Sequence, residues 1–293
     1  MTLLPLSSIC FPLSDFAKRF KDRFDGQAID LLTALDPEVG IGFMQDNLTG
    51  QPFISDLFEA PPQPTTQSEH LRQLQERLFS RYVLNESFEV EVTEADLKTL
   101  NVDEQIELPP SWYIHGELFS KPIEQSLHET NDTWRFVLNT TISGSSAYFL
   151  GRFCQGHPEL FQLVQQLCSW EQTQYTDDIL AEVVHLPTAP LRAGNVVARP
   201  TLRPVEIPYL TPPSVVNNQT ISLADIAISV NDAESVILIH KKTGKRIRPR
   251  HSSAHNSLFG DEVYQFLMAV QASETPTMAW SWGHLIVCHS CLD

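Results

Sequence analysis

The stretch Ile179–Leu210, ILAEVVHLPTAPLRAGNVVARPTLRPVEIPYL, decides how the rest of the chain is read. Its apolar run Ile179, Leu180, Val183, Val184 and Leu186 meets Pro187 and Pro190, and it closes on Glu206, Ile207 and Pro208. Apolar runs bounded by prolines read as strands. Three arginines, Arg192, Arg199 and Arg203, surround the pair Val196-Val197 in between. A guanidinium placed among strands must face solvent, an acidic partner or a bound anion, because burying it unpaired is too costly.

Around that stretch lie 293 residues, enough for one large domain or two and for a substantial core. The net charge of −16 argues against broad, nonspecific binding to nucleic acid or membrane surfaces. The charge is uneven. Up to Asp177 there are 11 basic and 26 acidic residues, and from Asp178 onward 9 and 10, so the second part can hold a local cationic site. Five scattered cysteines suit a reducing compartment rather than a disulfide framework. No signal peptide is read in MTLLPLSSICFPLSDF, and no apolar run approaches a membrane span, so a cytoplasmic location is expected.

Periodicity supplies the remaining elements. Leu13–Phe24 is expected to be helical, with Ser14 as N-cap and Phe16, Phe20 and Phe24 on one face. Ile29–Phe43 breaks at Asp36-Pro37, and its Gly40 and Gly42 suit either a ligand-approaching loop or a tight turn under the core. Residues 59–68 read as a loop or linker and His70–Val83 as an amphipathic helix. Phe88–Val92 alternates like a strand, and Thr93 with Asp96 forms a capping box for a short helix. Strands are expected at Trp112–Phe119 and Thr133–Ile142. A helix follows at Pro158–Trp170, with Leu160, Leu163, Val164 and Leu167 inward. Thr220–Val230 and Val236–His240 read as strands or as a short helix plus a strand, and Arg246–Arg250 as a strand, with Pro249 placing it at a sheet edge or a strand end. A helix over Asp261–Gln271 comes next. The fold class expected is α+β: mixed or antiparallel sheet with flanking helices.

The candidate chemistry is anionic. Arg192, Arg199 and Arg203 form one basic group and Lys241–Arg250 another, and guanidinium forks with lysine point charges suit phosphate or carboxylate. A basic face paired with the acidic first half explains the same residues, and spacing alone favours it. Gly144–Gly151 before Arg152 is either an anion-binding turn or a plain loop-to-helix junction. Acid–base candidates are Glu182, His185, Glu206, His251 and His255, none at a diagnostic spacing. Cys288-x-x-Cys291 could be half a zinc site, but no second pair accompanies it, and no metal is expected.

Four motifs together resemble a known family. They are Leu180–Pro187 running on through Arg192-x-x-Asn195-Val196-x-x-Arg199-Pro200-x-x-Arg203-x-x-Glu206-Ile207-Pro208-Tyr209; Ile247-x-Pro249-Arg250-x-x-Ser253-Ala254-His255-Asn256 with the Val263–Leu267 helix; Phe16–Phe43; and Gly151-Arg152-Phe153. In their order along the chain, from Phe16 to Leu267, they resemble the glutamylation region of class I lanthipeptide (LanB-type) dehydratases. The resemblance implies an enzyme that esterifies Ser or Thr of a precursor peptide with glutamate from glutamyl-tRNA(Glu), a co-substrate, with no other cofactor; elimination of glutamate then leaves the dehydrated residue. It implies catalytic roles for Arg152, Arg199 and Arg203, and substrate or tRNA contacts for Arg192, Arg250 and His255. It covers residues 1–285 and leaves 286–293 as a tail outside the family pattern, read as a frameshift or early stop. The expectation is therefore a fragment of a larger multidomain fold, inactive alone. A binding module of a split dehydratase and a pseudogene product are the alternatives. Partners expected are the precursor peptide, glutamyl-tRNA, and other dehydratase parts or a second copy, with membrane association only through a biosynthetic complex.

Overall fold

The structure, a computed structural model, describes residues 7–43, 69–85, 90–99, 110–120, 134–145, 147–187, 194, 197–253, 255 and 260–274. The chain divides into two compact units: residues 1–47 with 109–278, and residues 48–108 with 279–293.

The first unit is built on a six-stranded sheet in the order β1-β6-β7-β8-β4-β5. The strands are β1 (Ile29–Asp30), β4 (Ile179–His185), β5 (Glu206–Tyr209), β6 (Ile226–Val230), β7 (Val236–His240) and β8 (Arg246–Arg250). Pairing is antiparallel from β1 through β8 and parallel for β8-β4 and β4-β5, so the sheet is mixed as expected. Among the described residues the helices of this unit are α1 (Ser7–Phe24), α2 (Leu31–Leu35), α5 (Pro158–Gln174) and α6 (Glu262–Ser273). A separate antiparallel pair joins β2 (Ser111–Ser120) to β3 (Trp134–Gly144). The second unit holds α3 (Glu69–Asn85) and α4 (Glu94–Lys98).

The main core forms where α1, α2 and α6 meet the sheet. Phe16, Phe20 and Phe266 are fully buried, and Phe16 lies 5.0 Å from Phe266 and 6.0 Å from Phe43 between ring centroids. Each such side chain contributes on the order of 2–3 kcal/mol by leaving water. The i, i+4 spacing of Phe16 and Phe20 brings both to this face. The helix begins at least at Ser7, however, so Ser14 is an interior residue and not a cap; Pro12 forfeits one backbone hydrogen bond without ending the helix.

Gly40 settles the choice left open for Ile29–Phe43. A Cβ there would lie 2.0 Å from the Thr33 carbonyl oxygen, while its N–H donates to Asp36 at 2.8 Å. This is a tight turn packed against α2, with Gly42 at φ +61. In the second unit the capping box of Thr93 and Asp96 forms, and the buried Asp96 also pairs with Arg81. Val90–Val92, where a strand was expected, pairs with no strand among the described residues, though the Glu91 carbonyl accepts from Arg81 at 3.0 Å; residues 86–89 lie outside the described set.

Two other expectations change. On α5 the buried residues are Val164, Cys168 and Glu171, while Leu163 is half exposed, because the helix turns the 164/168/171 stripe inward. Of the two places that Pro249 suggested, a sheet edge is excluded, because β8 lies between β7 and β4, and a strand end holds on the β7 side. Pro249 is tolerated because β7 pairs only with Ile247 and Arg246, so the proline sits past the end of that ladder.

Candidate functional site

β4 carries the site because its side chains alternate. Ala181 and Val183 enter the main core, which sends Glu182 to the opposite face. Register then aligns Arg250 of β8, Glu182 of β4 and Glu206 of β5 across three neighbouring strands, and all three are buried.

Glu182 is the hub. Its Oε1 accepts from the backbone N–H of Ser252 at 2.8 Å and the Ser252 hydroxyl at 2.7 Å, and it pairs with Arg199 Nε at 3.0 Å. Its Oε2 lies 3.4 Å from Arg203 Nε, an ion pair without hydrogen-bond alignment. Arg203 also pairs with Glu171 of α5, and both side chains are 2% exposed. Ser145 bridges the two, donating to Glu171 at 2.8 Å and accepting from Arg203 at 3.1 Å; Ser111 donates to Glu171 as well. Arg199 spends its other donors on the carbonyls of Val183 at 3.0 Å and Val197 at 3.1 Å. Val197 itself lies in a short helical turn, with Ala198 donating to Gly194. Arg199 and Arg203 are therefore committed to carboxylates and carbonyls within the fold.

Arg250 is committed too. It pairs with Glu274 Oε2 at 2.9 Å, while Arg246 and Arg248 reach Glu274 Oε1 at 3.0 and 2.9 Å. Arg248 further binds Asp178 at 2.6 Å and stands 4.3 Å over the Tyr175 ring. The strand period that puts these three arginines on one face gathers them on one acid. Lys241 and Lys242 pair at the surface with Asp30 and Asp225.

Arg152 differs. It is exposed at the start of the 3₁₀ turn Gly151–Gly156, its guanidinium 4.4 Å over the Phe153 ring, with no carboxylate partner among the described residues. The turn is anchored: the Gly151 N–H donates to the Ser252 carbonyl at 2.9 Å, and a Cβ on Gly151 would lie 2.4 Å from that oxygen.

On the other face of β4, His185 stacks on Tyr264 at 3.7 Å and 18°. His255 is 4.8 Å and His251 5.8 Å from His185 between centroids. His251 Nε2 meets the Tyr264 hydroxyl at 3.1 Å and Ser253 Oγ at 2.9 Å. Neither ring nitrogen of His185 has a hydrogen-bond partner among the described residues, nor do Nδ1 of His251 and His255. Burial pulls His185 down to about 3, helped by His255 and Arg199; it lowers His251 and His255 as well. Neutral imidazoles are the result. No group of side chains among the described residues has the geometry to hold a metal ion.

Of the residues singled out in the sequence, the fold thus brings Arg199 and Arg203 to one carboxylate, His255 to a histidine–tyrosine stack, and Arg152 to the surface beside Ser252. Arg250 sits next to Glu182 in register but faces Glu274. Arg192, the CxxC pair and the C-terminal tryptophans lie outside the described residues. Sequence reasoning missed Glu171, Ser145 and Glu274. Glu171 had a signal: it falls three residues after Cys168 and seven after Val164, an acid on an apolar helical stripe. Glu206, one of the acid–base candidates, accepts from the Ser214 N–H at 2.7 Å.

The chain as a whole is similar to known proteins. The family model described as "Lantibiotic dehydratase, N terminus" matches residues 3–287. Among solved structures, the tRNA-dependent lantibiotic dehydratase MibB from Microbispora sp. 107891 aligns with a TM-score of 0.71 and 21% identity, over 94% of this chain and 26% of that one. At that identity the likeness establishes the fold, and the chain spans about a quarter of MibB. A glutamylation domain, TbtB from thiomuracin biosynthesis, aligns at a TM-score of 0.48 and 16% identity over 91% of this chain and 33% of that one, too slight to carry an argument. Comparison with curated proteins gives no match.

Proposed function

The chain belongs to the family of lantibiotic dehydratase N-terminal regions, and from that premise we propose that it handles the glutamyl end of glutamyl-tRNA while glutamate is passed to a serine or threonine of a precursor peptide. The transfer moves the glutamyl acyl group: the Ser or Thr oxygen forms a new ester bond to its carbonyl carbon as the bond to the tRNA ribose oxygen breaks, and the ribose leaves as a free hydroxyl. Its participants are anionic: phosphates, the glutamate carboxylate and the oxyanion that forms at the ester carbon. Fixed guanidinium groups are the suitable counterpart. With a net charge of −16, the chain must offer positive charge locally and not as a broad surface.

The observation that carries the reading is Arg152. Among the described candidate arginines it is the one that is both exposed and without a carboxylate. Arg199 and Arg203 pair with Glu182, which Ser252 links to the turn that carries Arg152, and Arg250 braces the strand beside Glu182. Glutamyl-tRNA is the co-substrate and no further cofactor is called for; a cytoplasmic setting follows from that co-substrate. No described helix is long and apolar enough to cross a membrane. We assign elimination of glutamate, and completion of the transfer site, to other dehydratase segments with which this chain acts.

The test is retention of radiolabelled glutamyl-tRNA by the purified chain. Arg152→Ala should weaken retention about tenfold, the size of one charge-assisted contact, and leave the urea midpoint unchanged. Equal retention by the variant overturns the role of Arg152. Full transfer to peptide by this chain alone overturns the need for other segments.

A further inference from the structure

A short relay runs from the centre of the sheet to Arg152. Glu182, fixed in β4, takes two hydrogen bonds from Ser252, through its N–H at 2.8 Å and its hydroxyl at 2.7 Å. The Ser252 carbonyl takes the N–H of Gly151 at 2.9 Å. Gly151 opens the turn whose second residue is Arg152. Ser252 and Gly151 are both buried, and Gly151 is packed so closely that a Cβ would lie 2.4 Å from the Ser252 carbonyl oxygen and 2.9 Å from its hydroxyl. The glycine here answers a close backbone approach. An exposed arginine otherwise samples many rotamers, and ordering it on binding lowers affinity. A turn clamped at its first residue removes the backbone share of that freedom.

We propose that Glu182 and Ser252 are positioning residues for Arg152, holding its turn through the Gly151 N–H. The inference rests on the reading of Arg152 as the tRNA-facing cation. It gives Glu182 two tasks: neutralising Arg199 and Arg203, and seating the segment that presents the free guanidinium. It also explains why Gly151 and Arg152 are adjacent, one residue clamped and the next exposed.

Two measurements on the full chain test this. The first is hydrogen exchange at Gly151. Ser252→Ala keeps the backbone carbonyl but loses the hydroxyl tie to Glu182, and Gly151 should exchange about tenfold faster while amides of β6 and β7 are unchanged. Unchanged exchange at Gly151 in both Ser252→Ala and Glu182→Gln overturns the relay, whatever the chain binds. The second is a double-mutant cycle read by glutamyl-tRNA retention. Ser252→Ala should weaken retention about threefold and Gly151→Ala about tenfold, as expected for a displaced binding group. Combined with Arg152→Ala, Ser252→Ala should add nothing. Additive losses would show that Ser252 does not act through Arg152 and would overturn the proposal. Wild-type retention by Arg152→Ala, with Gly151 still loosened in Ser252→Ala, would remove the functional reading and leave the coupling standing.

Discussion

On one face of β4 the polar side chain is Glu182, met by two arginines and a serine that donates twice. Three residues on, across the strand, it is His185, whose ring lies flat on Tyr264 and whose two nitrogens find no hydrogen bond among the described residues. Both side chains are buried. The Glu182 face satisfies polarity with charge, so each partner is indispensable to the others. The His185 face removes the charge, holding the imidazoles neutral, and depends on packing and on pH. One strand thus carries a region that should be sensitive to any missing partner, beside a region whose stability should depend on pH.

The largest effect should come from breaking the charged face. Glu182→Ala leaves two buried guanidinium groups short of a carboxylate, and removing one partner of such a network costs about 3–5 kcal/mol. Urea unfolding would show the loss, and a drop under 1 kcal/mol would mean that the cluster is more hydrated than its burial indicates. The pH response should be next in size. His185 has a folded value of about 3 against an ordinary 6.5. Above the ordinary value both folded and unfolded chains hold it neutral, and its full contribution is present. As pH falls below 6.5 the unfolded chain takes up the proton first, so stability declines down to about pH 3. At pH 5 keeping the His185 imidazole neutral should cost about 2 kcal/mol. Urea midpoints at pH 7.5, 6 and 5 measure the slope, and a flat profile would show that the stack accepts protons within the fold.

The smallest effect should sharpen the contrast further. His185→Phe keeps a flat ring against Tyr264 and discards two unsatisfied nitrogens, so stability at pH 7.5 should change by no more than about 1 kcal/mol. The acid decline should become shallower. An undiminished decline would move the pH sensitivity to His251 and His255.

Much of this architecture can be read from local pattern. The Phe16–Phe20 spacing, the Thr93–Asp96 capping box, the apolar run of β4 and the helix after Asp261 are all decided by neighbours a few residues away. The four motifs from Phe16 to Leu267 likewise carry the family. Boundaries were less legible: α1 passes through Pro12, and Val90–Val92 pairs with no strand among the described residues.

The candidate site depended on distances that local pattern does not contain. That Arg199 and Arg203 need anions, carboxylates or water follows from the guanidinium itself, and the sequence determined that much. Which of these they received was decided by the parallel order β8-β4-β5, which sets Ser252 beside Glu182 across 70 positions, and by α5, which delivers Glu171 to Arg203 across 32. An ion pair forms with whichever acid the packing desolvates alongside it, and no spacing along the chain ranks donors so far apart. The same packing left Arg152 without an acid. Its solvent-facing guanidinium is therefore a product of tertiary structure, though its place after Gly151 was written in the sequence.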